Sequence, residues 1–390
     1  MTRCDVSPRS EAIFNRNNVE VTSLISVEPI LWKKPNSKNH ELSNPFQNIT
    51  GGCFDKIPST ETIQIAHNFC QELTRREAAN FYHAMRFLPH EKREGLMSVY
   101  AFCRRADDIA DGDFTDQSMG WKESAFNQFE EYKKNLASNL KVKKLINPDL
   151  GQSKLKQLYI LRQKVASCYH KEIWLTDPIF VSLKDTISKH GIRQNDLNSL
   201  IDGMEDDLFI AKYRSLEELE LYCARVASAT GLMCIDIYRP SNSKLARKHG
   251  YSLGQYMQMI NILRDVKEDA SIGRVYLPEE ILQKHGIDSK SFKLDFPDKN
   301  KWASFVKEWA LRCNEELENA KPLFNLLPRD SRYSPAVMVA LYKRILKRII
   351  RRPLSIFRKR IRVPVIQKIA IAITTALRIR LQPADPKLQK

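Results

Sequence analysis

The sequence predicts an all-α protein, and three observations carry the prediction. Glycine is scarce, at 13 of 390 residues, whereas sheet-rich and nucleotide-loop architectures place it at tight turns. From about residue 63 onward, apolar residues recur at three- and four-residue steps while alternating strand patterns are rare. Turn signals cut this periodic region into helix-length pieces. A hydrophobic content of 43% and a charged content of 28% fit a soluble globular chain. Its length suffices for one large core or two modest ones.

Residues 1 to 62 read as a poorly ordered N-terminal extension. They are rich in Asn, Ser and Pro, and Pro35-Asn36-Ser37-Lys38-Asn39 has no periodicity. A cleavable targeting peptide is disfavoured by Glu11, Glu20, Glu28 and Glu41. Residues 63 to 380 read as one helical domain. Met97, Tyr100, Ala101 and Arg104 share a helix face, as do Leu219, Tyr222, Cys223 and Val226, and Met257, Ile260 and Leu263. Turns are expected at Leu88-Pro89, Gly112-Asp113, Asp177-Pro178, Arg239-Pro240, Leu277-Pro278, Pro297-Asp298 and Leu327-Pro328. Residues 381 to 390 form a tail.

Several function classes fall away. No Gly-x-Gly-x-x-Gly and no P-loop occurs, so a built-in dinucleotide or nucleoside triphosphate site is not expected. The eight cysteines form no Cys-x-x-Cys pair, which argues against a zinc site or disulfide framework and for a reducing cytosol. No apolar run reaches the ~18 to 20 residues of a membrane span; Val363 to Leu377 is broken by Gln367 and Lys368. The net charge of +17 is unevenly placed: Ser331 to Ala384 contains no acidic residue, and Lys343 to Arg380 holds 13 Lys and Arg, leaving only +4 elsewhere. Such a stretch is either a solvated basic face or a surface that meets anionic lipid or a diphosphate. Not all 13 can face a bilayer at once, and Arg358 or Arg360 could serve an active site instead. No nucleic-acid motif accompanies the charge, so nucleic acid is not an expected partner.

Two acidic motifs carry the chemistry. In Asp107-Asp108-Ile109-Ala110-Asp111, Asp107 and Asp111 lie one helical turn apart on one face. Like charges there cost roughly a few tenths of a kcal/mol when exposed and far more when buried unpaired. A hard divalent cation offsets that cost, since Mg²⁺ takes carboxylate oxygens together with substrate phosphates. An ordinary solvated acidic face is the plain alternative. In Asn261-Ile262-Leu263-Arg264-Asp265-Val266-Lys267-Glu268-Asp269, the oxygens of Asn261, Asp265 and Asp269 fall at i, i+4 and i+8 along a partly apolar helix. Two such faces opposite each other can hold several Mg²⁺ ions around a diphosphate and help an allylic carbon–oxygen bond ionise. Arg104, Arg264 and Arg274 offer forked donors to phosphate oxygens, with a simple salt bridge to a neighbouring aspartate as each one's alternative.

Longer segments resemble a known family. Asn80-Phe81-Tyr82-His83-Ala84-Met85-Arg86-Phe87-Leu88-Pro89, running on to Tyr100-Ala101-Phe102-Cys103-Arg104-Arg105-Ala106-Asp107-Asp108, resembles the N-terminal signature of squalene/phytoene synthases. Tyr222 to Gly231 is similar to that family's central helix, and Gln258 to Ala270 with Gly273-Arg274-Val275-Tyr276-Leu277-Pro278 to its second signature. The resemblance covers about residues 65 to 380. It implies a single helical bundle of the isoprenoid synthase type around a deep apolar cavity. It implies a prenyl transferase that joins two prenyl diphosphates head to head, with Asp107, Asp108, Asp111, Asn261, Asp265 and Asp269 binding Mg²⁺ (Mn²⁺ as an alternative). Tyr100, Arg104, Arg264 and Tyr276 take catalytic positions. Phe81, Gln258, Arg274 and Tyr342 join Arg104, Asn261 and Arg264 at the substrate. For Tyr276 and Tyr342, core packing with a satisfied hydroxyl is the alternative.

Three features depart from the family: Asn80 where a small hydroxyl residue is usual, Tyr256 where a small residue is common, and the N-terminal 60 residues. Tyr256 lies about 140° round the helix from Asn261, which places it outside the pocket. Ile201-Asp202-Gly203-Met204-Glu205, Arg225-Val226-Ala227-Ser228-Ala229 and the basic stretch Phe357 to Arg362 look most like bacterial presqualene diphosphate synthases of hopanoid pathways. Phytoene synthase, acting on geranylgeranyl rather than farnesyl diphosphate, is the runner-up. A terpene cyclase would lack the Gly-Arg-Val-Tyr-Leu-Pro segment. A non-catalytic helical assembly factor of the same fold would have no need of aspartates in both motifs. NADPH is not expected as a cofactor, and a cytoplasmic protein peripheral at an anionic membrane surface is.

Overall fold

A computed structural model describes residues 42–46, 48–49, 53–77, 82, 84–114, 123–139, 145–294 and 297–381. Among them the regular elements are helices, with two isolated bridges (Cys53 with Leu175, Lys212 with Val275) and no strand. The expected all-α class is therefore the observed one. Thirteen helices carry the architecture. They are α1 (Thr60–Glu77), α2 (His90–Asp111), α3 (Glu123–Asn139), α4 (Pro148–Cys168), α5 (Pro178–His190), α6 (Gln194–Phe209), α7 (Leu216–Cys223), α8 (Ala229–Tyr238), α9 (Ser243–Ser271), α10 (Glu279–Lys284), α11 (Lys299–Ala320), α12 (Tyr333–Arg351) and α13 (Val365–Leu381).

The turn signals fall where the helices begin and end. Pro89 precedes α2, and Gly112, at φ 85°, closes it in the left-handed conformation that glycine adopts without penalty. Asp177 caps α5 by accepting from the backbone N–H of Ile179 at 3.1 Å, with Pro178 in the first turn. Asp298 caps α11 by accepting from Asn300 and Lys301, both at 2.9 Å.

Part of the segment expected to be poorly ordered packs on the body. Phe46 is buried against Ala66 and Val181, the backbone N–H of Phe54 donates to the Trp174 carbonyl at 2.8 Å, and α1 starts at Thr60, three residues before the expected boundary. The apolar Phe46 and Phe54 rings, 5.3 Å apart, supply the anchoring that composition alone did not suggest.

The core is one large apolar cluster, with a small second one around Phe46, Ala66 and Val181. α2, α6, α8 and α9 pack around its centre, and α11 and α12 close the C-terminal side. Two buried indoles fix α11: Trp309 donates to the Met259 carbonyl at 3.0 Å and Trp302 to that of Pro353 at 3.1 Å. His67 on α1 joins Asp185 (2.7 Å) and Ser182 (2.9 Å) of α5. Ser182 and Ser98 of α2 have no exposure, so this Ser–His–Asp chain ties three helices and offers no accessible nucleophile.

The segment expected as one central helix is interrupted. Between α7 and α8, Ala224–Ser228 forms a π-helical turn. Two glycines permit its close approach to its neighbours. A Cβ on Gly254 of α9 would sit 2.5 Å from Ser228 Cα, and one on Gly203 of α6 would sit 2.5 Å from a Val226 methyl. Such single-turn π segments recur at functional sites, and this one turns Val226, Ala227, Thr230 and Gly231 onto the central cavity.

Candidate active site

A cavity of about 490 Å³ lies between α2, α6, the α7–α8 segment, α9 and α12. Most of its wall is apolar: Leu96 and Val99 from α2, Leu200 and Met204 from α6, Leu253 and Met257 from α9, Met338 from α12. Its polar lining includes Tyr100, Arg104, Asp107 and Asp111 from α2, Asp207 from α6, Gln258 and Asn261 from α9, and Tyr342 from α12. The 3.6-residue helical period explains the set: 100, 104, 107 and 111 are successive turns of one face of α2, while 254, 257, 258 and 261 are those of α9.

Electrostatics concentrate on the carboxylates. Burial pushes the Asp107 carboxyl up to about 7; Arg104 opposes the shift, and Asp111, Asp108 and Asp207 add to it. Burial likewise raises Asp269 to about 7, with Asp265 nearby adding to the shift, Arg274 opposing it, and Asp207 and Glu268 adding again. Asp207 itself is raised by burial, against Arg274 and two tyrosine hydroxyls, with Asp111 adding to the shift. Asp207 thus stands within electrostatic reach of both acidic motifs. Its own supports are Tyr276, which donates at 2.8 Å, Tyr222, which donates at 3.2 Å, and Arg274 at 3.6 Å. The rings of Tyr213, Tyr222 and Tyr276 cluster at 4.9 to 5.8 Å behind it, with Tyr276 stacked on both others.

The remaining expected residues lie off the cavity wall or outside the described residues. Asp108 points away from the cavity and is buried, paired with Arg104 at 2.5 Å. Asp265 is held by Arg264 at 2.8 and 2.5 Å and by Arg360 at 3.0 and 2.9 Å. Tyr276 and Arg274 meet at Asp207 and do not line the cavity. Tyr256 is fully buried and stands outside the pocket. Phe81 and Asn80 lie outside the described residues.

Asp207 is the site residue that sequence reasoning missed. The signal was present: Glu205, Asp206 and Asp207 form an acidic run at the end of a helix in which they are all buried. Asp206 pairs with Arg225 and Glu205 with Arg162, at 3.1 Å for the second. The cavity-facing Asp207 has an arginine, Arg274, only at 3.6 Å.

A divalent cation fits this donor set. Asp107, Asp111 and Asp207 repel one another on the cavity wall, and Asn261 Oδ1 is buried with no hydrogen-bond partner. Among the described residues no three His, Cys, Asp or Glu converge tightly enough to hold an ion alone. Amide and substrate oxygens would complete the coordination, as they commonly do for Mg²⁺.

Residues 74–367 match the family model described as squalene/phytoene synthase. The presqualene diphosphate synthase of Rhodopseudomonas palustris is 30% identical over 302 residues, covering 77% of this chain and 93% of that protein. The phytoene synthase of Mycobacterium tuberculosis is 28% identical over 313 residues, covering 80% and 90%. In architecture the chain is similar to the crystal structure of a dehydrosqualene synthase in complex with ligand. That likeness has a TM-score of 0.62 and 22% identity, over 83% of this chain and 99% of that one.

Proposed function

The chain belongs to the squalene/phytoene synthase family of prenyltransferases, and we propose that it condenses two farnesyl diphosphates head to head to a presqualene-type diphosphate. The observation that carries this reading is the apolar cavity with carboxylates of α2 and α6 and the Asn261 amide at its polar end. A long isoprenyl chain matches the apolar wall, and a diphosphate matches the polar end only if cations accompany it.

Asp107, Asp111, Asn261, Asp265 and Asp269 are the proposed Mg²⁺ ligands, with Asp207 beside them. Bound there, Mg²⁺ would neutralise charge on a departing diphosphate. Arg104 and Arg264 present forked donors to phosphate oxygens once released from Asp108 and Asp265. Burial raises the phenol pKa of Tyr100 and of Tyr342, so both remain protonated donors to a phosphate oxygen or a water. Arg274 and Tyr276 act through Asp207, which they orient. The apolar wall excludes water from the allylic cation formed when the first substrate loses its diphosphate. The second substrate's double bond then attacks that carbon, and loss of a proton closes the cyclopropane.

Phytoene synthesis from geranylgeranyl diphosphate is the second reading, favoured by relatives named phytoene synthase from mycobacteria, plants and cyanobacteria. Among the described residues no helix is long and apolar enough to cross a membrane. The proposed location is peripheral, at an anionic lipid surface, which the acid-free stretch Ser331 to Ala384 supports.

Incubation of the purified protein with Mg²⁺ and each prenyl diphosphate, without NADPH, tests the reading. Presqualene diphosphate from farnesyl diphosphate is the expected product, and phytoene from geranylgeranyl diphosphate would select the second reading. No head-to-head product from either would reject both in favour of a non-catalytic role.

A further inference from the structure

α13 is an unusual surface helix. It packs on α12 through Ile371, Ala372, Ala376 and Ile379, yet none of its residues is buried. The opposite face is also apolar. Ile366 is 82% exposed, Ile369 54%, Ile373 56% and Leu377 53%. At about 100° per residue these four fall within an arc of about 80°, which makes one continuous ridge. A contiguous exposed apolar ridge is normally covered by protein or lipid, and on α13 only the side against α12 is covered. It begins at residue 365, and three of the four ridge residues (Ile369, Ile373 and Leu377) lie past the end of the family match at residue 367.

The surroundings identify what covers the ridge. At the start of α13, Arg344 and Arg348 donate to the Gln367 side-chain oxygen at 3.3 and 2.9 Å, and Arg348 also donates to the Arg362 carbonyl. At its end, Arg329 donates to the carbonyls of Ile379 and Arg380 at 3.3 and 2.5 Å. Arg378 and Arg380 occupy the last turn. Cations therefore bracket an apolar ridge at both ends, and no carboxylate occurs between Ser331 and Ala384. A second protein surface would need acidic groups matched point for point. An anionic bilayer supplies diffuse negative charge at the headgroups and hydrocarbon just beneath, which is the chemistry of an interfacial amphipathic helix.

We propose that α13 lies in the plane of an anionic lipid surface, with Ile366, Ile369, Ile373 and Leu377 inserted at the acyl boundary and the flanking arginines at headgroup level. This deepens, and rests on, the peripheral location proposed above. α13 leans on α12, whose Met338 and Tyr342 wall the cavity. Docking thus sets the lipid surface against the outer side of a cavity wall, next to where a water-insoluble product is made.

The test uses the full chain and sedimentation with sucrose-loaded vesicles of phosphatidylcholine, with or without phosphatidylglycerol. Wild type is expected to partition at least tenfold more onto the anionic vesicles at low salt, and to retain a residual bound fraction at about 1 M salt, where the screening length is ~3 Å. Ile369→Glu with Ile373→Glu should lower anionic-vesicle partitioning at least tenfold and abolish the salt-resistant fraction. Helical circular dichroism and turnover of detergent-dispersed substrate should be unchanged. Arg378→Gln with Arg380→Gln should reduce the preference for anionic lipid while leaving the salt-resistant fraction. Undiminished vesicle binding by the glutamate variant would overturn the proposal. So would a glutamate variant that converts a dimer to a monomer on a sizing column with vesicle binding intact. Failure of head-to-head turnover in detergent would sink the proposed reaction while leaving lipid docking standing, so the two readings fail separately.

Discussion

Arg360 grips Asp265 through a two-pronged ion pair, Nε to Oδ1 at 3.0 Å and Nη2 to Oδ2 at 2.9 Å, although 95 residues separate them in sequence. Arg264 holds the same carboxylate from the adjacent position. Both oxygens of a proposed metal ligand are therefore engaged by guanidinium groups. Arg360 comes from the basic stretch that follows the 3₁₀ turn Pro353–Phe357, so the charged C-terminal region does two jobs: part of it faces outward, and part reaches the site.

If Arg360 stands in for a cation at Asp265, Arg360→Gln should tighten binding of Mn²⁺ to the substrate-free protein. The Arg360 side chain is 46% exposed, and pairs of that kind contribute only about 0.2–1 kcal/mol. The gain should stay within about fivefold, read by calorimetry or by the electron spin resonance of free Mn²⁺. Weaker or unchanged Mn²⁺ binding would show that Arg360 does not compete at this carboxylate.

Asp107 and Asp265 lie on different helices, and each carries an oxygen the other cannot replace. Asp107→Asn and Asp265→Asn each keep the side-chain volume and remove the charge. Each should lower kcat/KM by at least a hundredfold with helical circular dichroism unchanged. Near wild-type turnover with Mg²⁺ in either variant would remove that residue from the metal site.

The helices of this fold were legible because their punctuation is local: Asp177-Pro178 and Pro297-Asp298 name their own caps. The cavity-facing rows of α2 and α9 were legible because helical period alone selects 100, 104, 107, 111, 258 and 261. What escaped was set by packing between distant segments. Asp108 sits one residue from Asp107, and the sequence could not tell which of the two faces the cavity and which pairs with Arg104 behind it. The π turn at Ala224–Ser228 packs closely against Gly203 and Gly254, on two other helices, where a Cβ would clash. The Asp207 cluster joins α6, α7 and the segment after α9, and Arg360 was only one of two arginines that the basic stretch could send to the site.

Tyr276→Phe tests the Asp207 cluster. The hydroxyl donates to a buried carboxylate, and hydrogen bonds to charged groups contribute about 1.5–3 kcal/mol. The variant should lose stability of that order in urea unfolding and lower kcat more than it raises KM, because Asp207 loses orientation while the cavity wall stays intact. A variant with wild-type stability would show that Tyr222 and Arg274 hold Asp207 without help.

The last expectation concerns pH in the absence of divalent cations. Burial pushes Asp107 and Asp269 up to about 7, against an ordinary value near ~4. Between those limits the folded protein holds protons that the unfolded chain has released, so stability falls as pH rises from about 4 through 7 and levels off above. His190 runs the other way: burial lowers it to about 4, and its contribution rises with pH up to ~6.5. Asp107→Asn leaves that histidine in place, so the difference between variant and wild type isolates the carboxylate. In chelator, the wild-type Tm should drop between pH 5 and 7.5 by several degrees more than that of Asp107→Asn. Mg²⁺ should restore much of the loss at pH 7.5 and little at pH 5, since a cation favours the charged form that burial penalises. Parallel Tm curves for the two proteins would show that the Asp107 charge is already compensated within the fold, and that no cation is needed to balance it.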